Sequence, residues 1–298
     1  MGLQRSAALA AALATIACGR FGFDSDDPAD AAIDSPPPIE IPPFDPPTEI
    51  AVLNSTSIDD DVTLTADGLV IFFNSARSGN QEIWTSSRGA LDQPWSPPAL
   101  VTELNSATDE STTAISSDGL TILFASDRGG ANLHDVYLAT RPARSSAFSP
   151  PVLLDELNSV AGDFASYISS DRLTAVIHSN RGGQGFDLYT SSRAIASDPF
   201  SEPRPLAEIN TVDGEVGGRL VSDGVVLTFG SARNGQPDLF FATRPTTSEP
   251  FGPTMPFADF NTDLIQEDLW LSDDLCYAVF ASETSEGERN IVESRCRP

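Results

Sequence analysis

From residue 48 onward the chain alternates short apolar runs with polar, often glycine-bearing turns, and the arrangement returns five times. The copies read TADGLVIFFNSARSGNQEIWTSSR from Thr65, SSDGLTILFASDRGGANLHDVYLATR from Ser116 and SSDRLTAVIHSNRGGQGFDLYTSSR from Ser169. The last two are VSDGVVLTFGSARNGQPDLFFATR from Val221 and LSDDLCYAVFASETSEGERNIVESR from Leu271. In the second copy the pattern predicts strand a over 112–116, a Ser117-Asp118-Gly119 turn, strand b over 120–126 and strand c over 135–140. After Pro150-Pro151 it predicts strand d over 152–157. An Asp-Gly pair between apolar runs favours a hairpin because glycine accepts positive φ. Strand b is apolar on both faces, as in Ile71 and Phe73, Ile122 and Phe124, or Leu227 and Phe229. Such a strand must be covered on both sides.

Marker aspartates at Asp67, Asp118, Asp171, Asp223 and Asp273 recur at steps of 51, 53, 52 and 50 residues. Asparagines at Asn54, Asn105, Asn158, Asn210 and Asn261 keep the same beat. A period near fifty residues built from short strands marks a propeller or array. The fold class is therefore read as all-β, a five-bladed β-propeller with four-stranded blades over 44–298. Residues 48–54 look like a strand d without its a, b and c, and the last copy lacks a strand d. The two are expected to share the fifth blade, which removes two open sheet edges.

The repeat resembles the TolB-type, WD-like propeller repeat of bacterial cell-envelope proteins. The residues that carry the likeness are SSDG at 116–119, FASDRGG at 124–130, DVYL at 135–138, FDLY at 186–189 and DLFF at 238–241. Arg172 stands where the pattern has glycine, the turns lack proline, and the last copy is degraded. The resemblance implies an envelope-facing binding scaffold, although a fold does not fix a function.

Composition adds an address. Arg5 followed by the small apolar stretch Ser6–Ala17 reads as a signal peptide over 1–17. Thr15-Ile16-Ala17-Cys18 resembles a lipoprotein lipobox, which implies lipidation of Cys18; secretion without an anchor is the alternative. Residues 18–43, rich in proline and aspartate, read as a solvated tether. Gly19 leans toward an outer-membrane destination on the lipoprotein sorting rule. Cys276 and Cys296 flank the last predicted hairpin and are expected to form a disulfide. The chain carries 43 acidic and 17 basic residues, a net charge of −26. That excludes a nucleic-acid partner and disfavours docking on anionic lipid except through a lipid anchor.

Four candidate constellations emerge. Arg77, Arg128, Arg181 and Arg233 precede Glu82, Asp135, Asp187 and Asp238 and are read as structural ion pairs within blades. A second arginine series, Arg88, Arg141, Arg193, Arg244 and Arg295, ends strand c in all five copies and suggests architecture. The acids Asp59, Glu110, Asp163 and Glu215, with Glu267 and Asp268 near the same place in the last copy, fall before strand a. At a channel mouth they would form a carboxylate ring and bind a ligand or a hard cation such as calcium; alternatively each bonds N–H groups of its own loop. Tyr167, Arg219 and Trp270 break the symmetry of strand a and are the candidate ligand-contacting side chains. His134 and His178 stand alone, so no metal centre is predicted. No nucleophile elbow, P-loop or dinucleotide fingerprint is present. The reading is a non-catalytic scaffold without a cofactor that engages a protein or envelope polymer. The rival is a glycan-active enzyme using carboxylates around the channel.

Overall fold

The structure, a computed structural model, describes residues 39–130 and 133–297. The expected signal peptide, Cys18 and most of the tether lie outside those residues. Strand β1 is Thr48–Glu49. Blade 1 comprises β2 (Asp59–Leu64), β3 (Val70–Ser75), β4 (Glu82–Ser87) and β5 (Ala99–Leu100). Blade 2 comprises β6 (Glu110–Ile115), β7 (Thr121–Ser126), β8 (Asp135–Thr140) and β9 (Val152–Leu153). Blade 3 comprises β10 (Asp163–Ile168), β11 (Thr174–Ser179), β12 (Asp187–Ser192) and β13 (Arg204–Pro205). Blade 4 comprises β14 (Glu215–Val221), β15 (Val226–Ser231), β16 (Asp238–Thr243) and β17 (Met255–Pro256). Blade 5 takes β18 (Gln266–Leu271), β19 (Tyr277–Glu283) and β20 (Arg289–Arg295) and is completed by β1. All pairings are antiparallel, and the described residues close into a five-bladed propeller whose first and last strands share one blade.

Blade-to-blade packing follows from the two-faced apolar strand b. All six residues of β7 are buried. Phe72 of blade 1 packs in one cluster with Ile115, Ile122 and Phe124 of blade 2. Each large side chain buried this way contributes roughly 2 kcal/mol. Ile39 and Ile41 already pack against the cluster containing Phe44, Phe260 and Phe280, ahead of the domain start expected at 44.

Strand d is shorter than the apolar run that announces it. In blade 2 it stops at Leu153, and residues 155–157 turn. The repeated asparagine explains the stop. Asn158 accepts the Val136 N–H (2.7 Å) and donates to the Val136 carbonyl (3.1 Å), so its amide replaces a strand on strand c. Asn54, Asn105, Asn210 and Asn261 do the same for Ile291, Ile83, Leu188 and Leu239.

The a–b turns are held by a hydroxyl that bonds the marker aspartate: Thr65 to Asp67, Ser116 to Asp118 and Ser169 to Asp171. Ser272 bonds Asp274, so Asp274 fills the place assigned to Asp273 from spacing. Blade 4 has Val221 where the hydroxyl should be. Its turn instead takes three successive left-handed residues, Ser222, Asp223 and Gly224. At the closing blade Cys276 and Cys296 form a disulfide, Phe44 bridges Cys296, and the Asp45 N–H reaches the Arg295 carbonyl (2.9 Å).

The first arginine series pairs with a different acid from the one expected. Arg128 binds Glu110 (2.9 Å), the Ser126 hydroxyl (2.9 Å) and the Leu104 carbonyl of the preceding blade (2.5 Å). Arg77 with Asp59, Arg181 with Asp163 and Arg233 with Glu215 repeat the arrangement. Among the described residues Glu82, Asp135, Asp187 and Asp238 make no ion pair with these arginines. The reason is burial: the four strand-a acids are fully buried and also accept N–H groups of their own loops, as Glu110 does from Ser106 (3.0 Å). A buried carboxylate needs a counter-ion more than a rim carboxylate does. In blade 5 the arginine slot holds Thr284 and the acid slot holds Gln266, whose amide bonds Thr262 (2.8 and 3.0 Å). The second series is also architectural. Arg88, Arg141, Arg193 and Arg244 donate to the a–b turn carbonyls of Gly68, Gly119, Arg172 and Gly224 and lie over Trp95, Phe148, Phe200 and Phe251.

Arg128→Ala is expected to lower stability by about 3–5 kcal/mol, because it strands a buried carboxylate. The double change Arg128→Thr with Glu110→Gln copies blade 5 and should cost clearly less. Urea denaturation measures both, and equal losses would show that charge compensation is not the cause.

Candidate functional site: the channel mouth

The inner strands line the channel, and each carries a register break where it begins. Strand β2 skips between Asp60 and Thr63, β6 between Ser111 and Ala114, β10 between Ala165 and Tyr167, β14 between Val216 and Arg219, and β18 between Glu267 and Trp270. The bulges place Asp61, Thr112, Gly217 and Asp268 at positive φ. Only glycine adopts that region freely, so three of the four hold strain at the channel wall.

The strain accompanies a chain of contacts around the wall. The Asp61 N–H donates to the Asp268 carboxylate (3.2 Å), and the Thr112 N–H donates to Asp61 (2.9 Å). On blade 3 a histidine takes the carboxylate's part. His178 Nδ1 accepts the Ser166 hydroxyl (3.0 Å), with the Gly217 N–H at 3.5 Å. Burial pulls the His178 pKa down to about 3, so its ring is neutral and can accept. Phe164 stacks between His178 (5.0 Å) and His134 (4.9 Å), and Phe186 meets Phe164 and His178 edge-on.

Blades 5 and 1 hold an excess of acid at the same level. Arg289 reaches Asp60 (3.2 Å) and Glu267 (3.0 Å), while Asp61 and Asp268 lie beside them. Burial and the Asp268 charge push Asp60 up to about 7. The same two causes push Glu267 up to about 7 and hold Asp61 well above the carboxylate range. Burial raises Asp268 as well. Burial works against the Arg289 charge, but Glu267, Asp60 and Asp268 outweigh it and hold its pKa above the ordinary value.

Deeper in the channel, Tyr167, Arg219 and Trp270 come together as the symmetry break implied. The Arg219 guanidinium lies 5.8 Å from the Tyr167 ring centre and 5.6 Å from that of Trp270, and it donates to the Thr63 hydroxyl (3.1 Å). No carboxylate pairs with it among the described residues, and burial lowers its pKa to about 10. It separates two chambers of about 20 Å³ each. One is lined by Asp61, Thr112, Ser166, Gly217 and Asp268, the other by Trp270, Tyr167 and Asp273.

The expected ring of acids is thus corrected. Asp59, Glu110, Asp163 and Glu215 face the blade seams with their arginines, not the channel. Of that series only Glu267 and Asp268 belong to the mouth. Asp60, Asp61 and Arg289 went unassigned, although Asp60-Asp61 directly follows the repeated acid and breaks the pattern set by Ser111-Thr112 and Val216-Gly217. Among the described residues no three His, Cys, Asp or Glu side chains are arranged to hold a metal ion. No helix there is long and apolar enough to cross a membrane.

The pKa shifts set a stability profile. Carboxyls raised in the fold above their unfolded values favour the fold as pH falls from about 8 toward about 5. His178, lowered in the fold, opposes this below about 6.5, where the unfolded chain takes up its proton. The thermal midpoint is expected to rise on going from pH 8 to pH 5.5. The rise should shrink in Asp60→Asn with Glu267→Gln, and should steepen in His178→Asn, which copies Asn74 of blade 1. A midpoint that falls over this range in the unaltered protein would contradict the cluster.

No family model matches this sequence. No curated protein matches it either. Solved structures do. TolB of Agrobacterium tumefaciens aligns with TM-score 0.54 at 14% identity, over 87% of this chain and 99% of that one. The catalytic domain of the GH62 α-L-arabinofuranosidase of Coprinopsis cinerea aligns with TM-score 0.56 at 10% identity, over 86% and 97%. A protein of unknown function from Dyadobacter fermentans aligns with TM-score 0.56 at 11% identity, over 87% and 100%. At these identities the likeness is one of architecture alone, a five-bladed β-propeller.

Proposed function

We propose that this chain is a non-catalytic binding propeller of the bacterial cell envelope, anchored through a lipid on Cys18 at the outer membrane and facing the periplasm. It uses no cofactor and engages a protein or an envelope polymer through the channel mouth at the entry to the inner strands. The observation that carries the reading is the closed channel. Within the channel Arg219 leaves about 20 Å³ on either side, room for about one water, and a recess of about 500 Å³ adjoins it only on the Tyr167 and Asp273 side. A glycosidase holds a sugar between two carboxyls about 5–10 Å apart, and no sugar ring enters the two spaces beside Arg219. The net charge of −26 repels anionic headgroups, so the lipid would be the membrane attachment.

One observation favours the rival reading. Asp60 and Glu267, both raised to about 7, have the acidity that general acid–base catalysis needs. The fold is shared with a glycoside hydrolase.

Two experiments test the reading. The full chain should fractionate with membranes, and Cys18→Ser should move it to the soluble fraction; an unchanged distribution would refute the anchor. Incubated with pentose and hexose polymers, the protein should release no reducing sugar. Hydrolysis that disappears in Glu267→Gln would make it an enzyme.

A further inference from the structure

Three buried oxygen atoms at the channel mouth have no hydrogen-bond partner: Asp60 Oδ1, Ser111 Oγ and Thr112 Oγ1. Orphaned buried acceptors are uncommon and call for a donor. Asp60 is 5% exposed, and only its other oxygen is taken, by Arg289. Register sets the three at one level of neighbouring blades. Asp60 pairs with Asn74 and Ser111 with Ala125, the same step of neighbouring inner strands, and Thr112 is the next residue on the bulge. Thr112 and Asp61 both line the chamber of about 20 Å³.

Size and charge select the ligand. Four carboxyls, Asp60, Asp61, Glu267 and Asp268, face two resident cations: Arg289, which pairs with Asp60 and Glu267, and Arg219, which walls the chamber beside Asp61 and Asp268. The chamber admits a group of about one water's volume. A guanidinium or a sugar is too large. Among the described residues no three His, Cys, Asp or Glu side chains converge to hold a metal ion. An ammonium group is compact, carries three donors and one positive charge, and sits on a slender stem. The stem suits the wall opposite, where Phe164 and its stacked histidines offer an apolar face at the same level as Asp60 and Glu267.

We propose that the channel mouth receives the ammonium of a lysine side chain presented by a partner polypeptide, held by Asp60, Asp61, Ser111 and Thr112. The inference rests on the binding-scaffold reading and gives its partner a chemistry. The acidic chain as a whole would steer such a partner inward. An incoming cation favours the ionised form of Asp60, Asp61, Glu267 and Asp268, with Glu283, Arg289 and Arg219 the other charges at the cluster. Binding therefore strengthens from pH 6 to pH 8.

Amide-resolved NMR titration of the full chain tests this with the capped pentapeptides Gly-Gly-Lys-Gly-Gly, Gly-Gly-Arg-Gly-Gly and the norleucine analogue. The lysine peptide is expected to shift the Asp61 and Thr112 amides and to bind at least about tenfold tighter than the other two. Asp60→Asn and, separately, Glu267→Gln should each weaken it by about tenfold. Asp198→Asn, an exposed change of equal charge far from the mouth, should not. Thermal melts confirm that each variant is folded. Indifference to side-chain type, equal weakening by Asp198→Asn, or no shift at the mouth at 10 mM peptide (roughly the weak limit of such contacts) would overturn the proposal. A partner captured from envelope extract by Asp60→Asn and Glu267→Gln as well as by the unaltered protein would sink this inference and leave the scaffold reading standing. Capture by none of them would sink the scaffold reading itself.

Discussion

A guanidinium clasped between a buried carboxylate, a serine hydroxyl and a main-chain carbonyl of the preceding blade is the contact on which the ring depends. It occurs in blades 1 to 4. The apolar clusters hold neighbouring blades together but are non-directional. The arginine supplies direction: it ties the loop leaving one blade to the inner strand of the following one. Because the carboxylate is fully buried, removing either partner leaves an unpaired group in a medium that cannot solvate it. The pair therefore specifies one arrangement, whatever its net contribution to stability. Blade 5 shows the alternative, in which both charges are absent and a glutamine amide takes the place.

The clasp also determines what the channel can be. Four of the five repeated acids are spent on the seams, so the mouth is lined by residues that differ between blades. Carboxyls gather on blades 5 and 1, hydroxyls on blade 2, and an aromatic and histidine stack on blade 3. That asymmetry sets the mouth apart from the repeating seams. The bulges aim those side chains, and the left-handed backbone at Asp61, Thr112 and Asp268 is where the fold accepts strain to do it.

Much of the architecture was readable because it repeats. Period, turn chemistry and the unpaired ends required five blades with a shared last one, and the two late cysteines lie where the closing hairpin brings them together. The repeating arginine and acid were recognised as partners in kind but matched to the wrong strand. Glu82 and its equivalents lie closer in sequence, whereas Asp59 and its equivalents lie closer in space, across the b-strand serine. Strand d was overextended for a related reason. Its apolar run continues past Leu153, but Asn158 takes over the strand-c hydrogen bonds, and no local pattern announces that substitution.

Periodicity and composition by themselves determined the fold class, the blade number, the closure of the ring by its own ends and the strongly acidic character, because these follow from hydrophobic alternation and charge, which are properties of residues in order. Tertiary structure decided which acid is buried, which arginine neutralises it and which carboxyls are left to crowd the channel. Those outcomes depend on how far each side chain is taken from water and on what stands opposite it, and residues far apart along the chain, such as Asp61 and Asp268, settle them only once the blades have met.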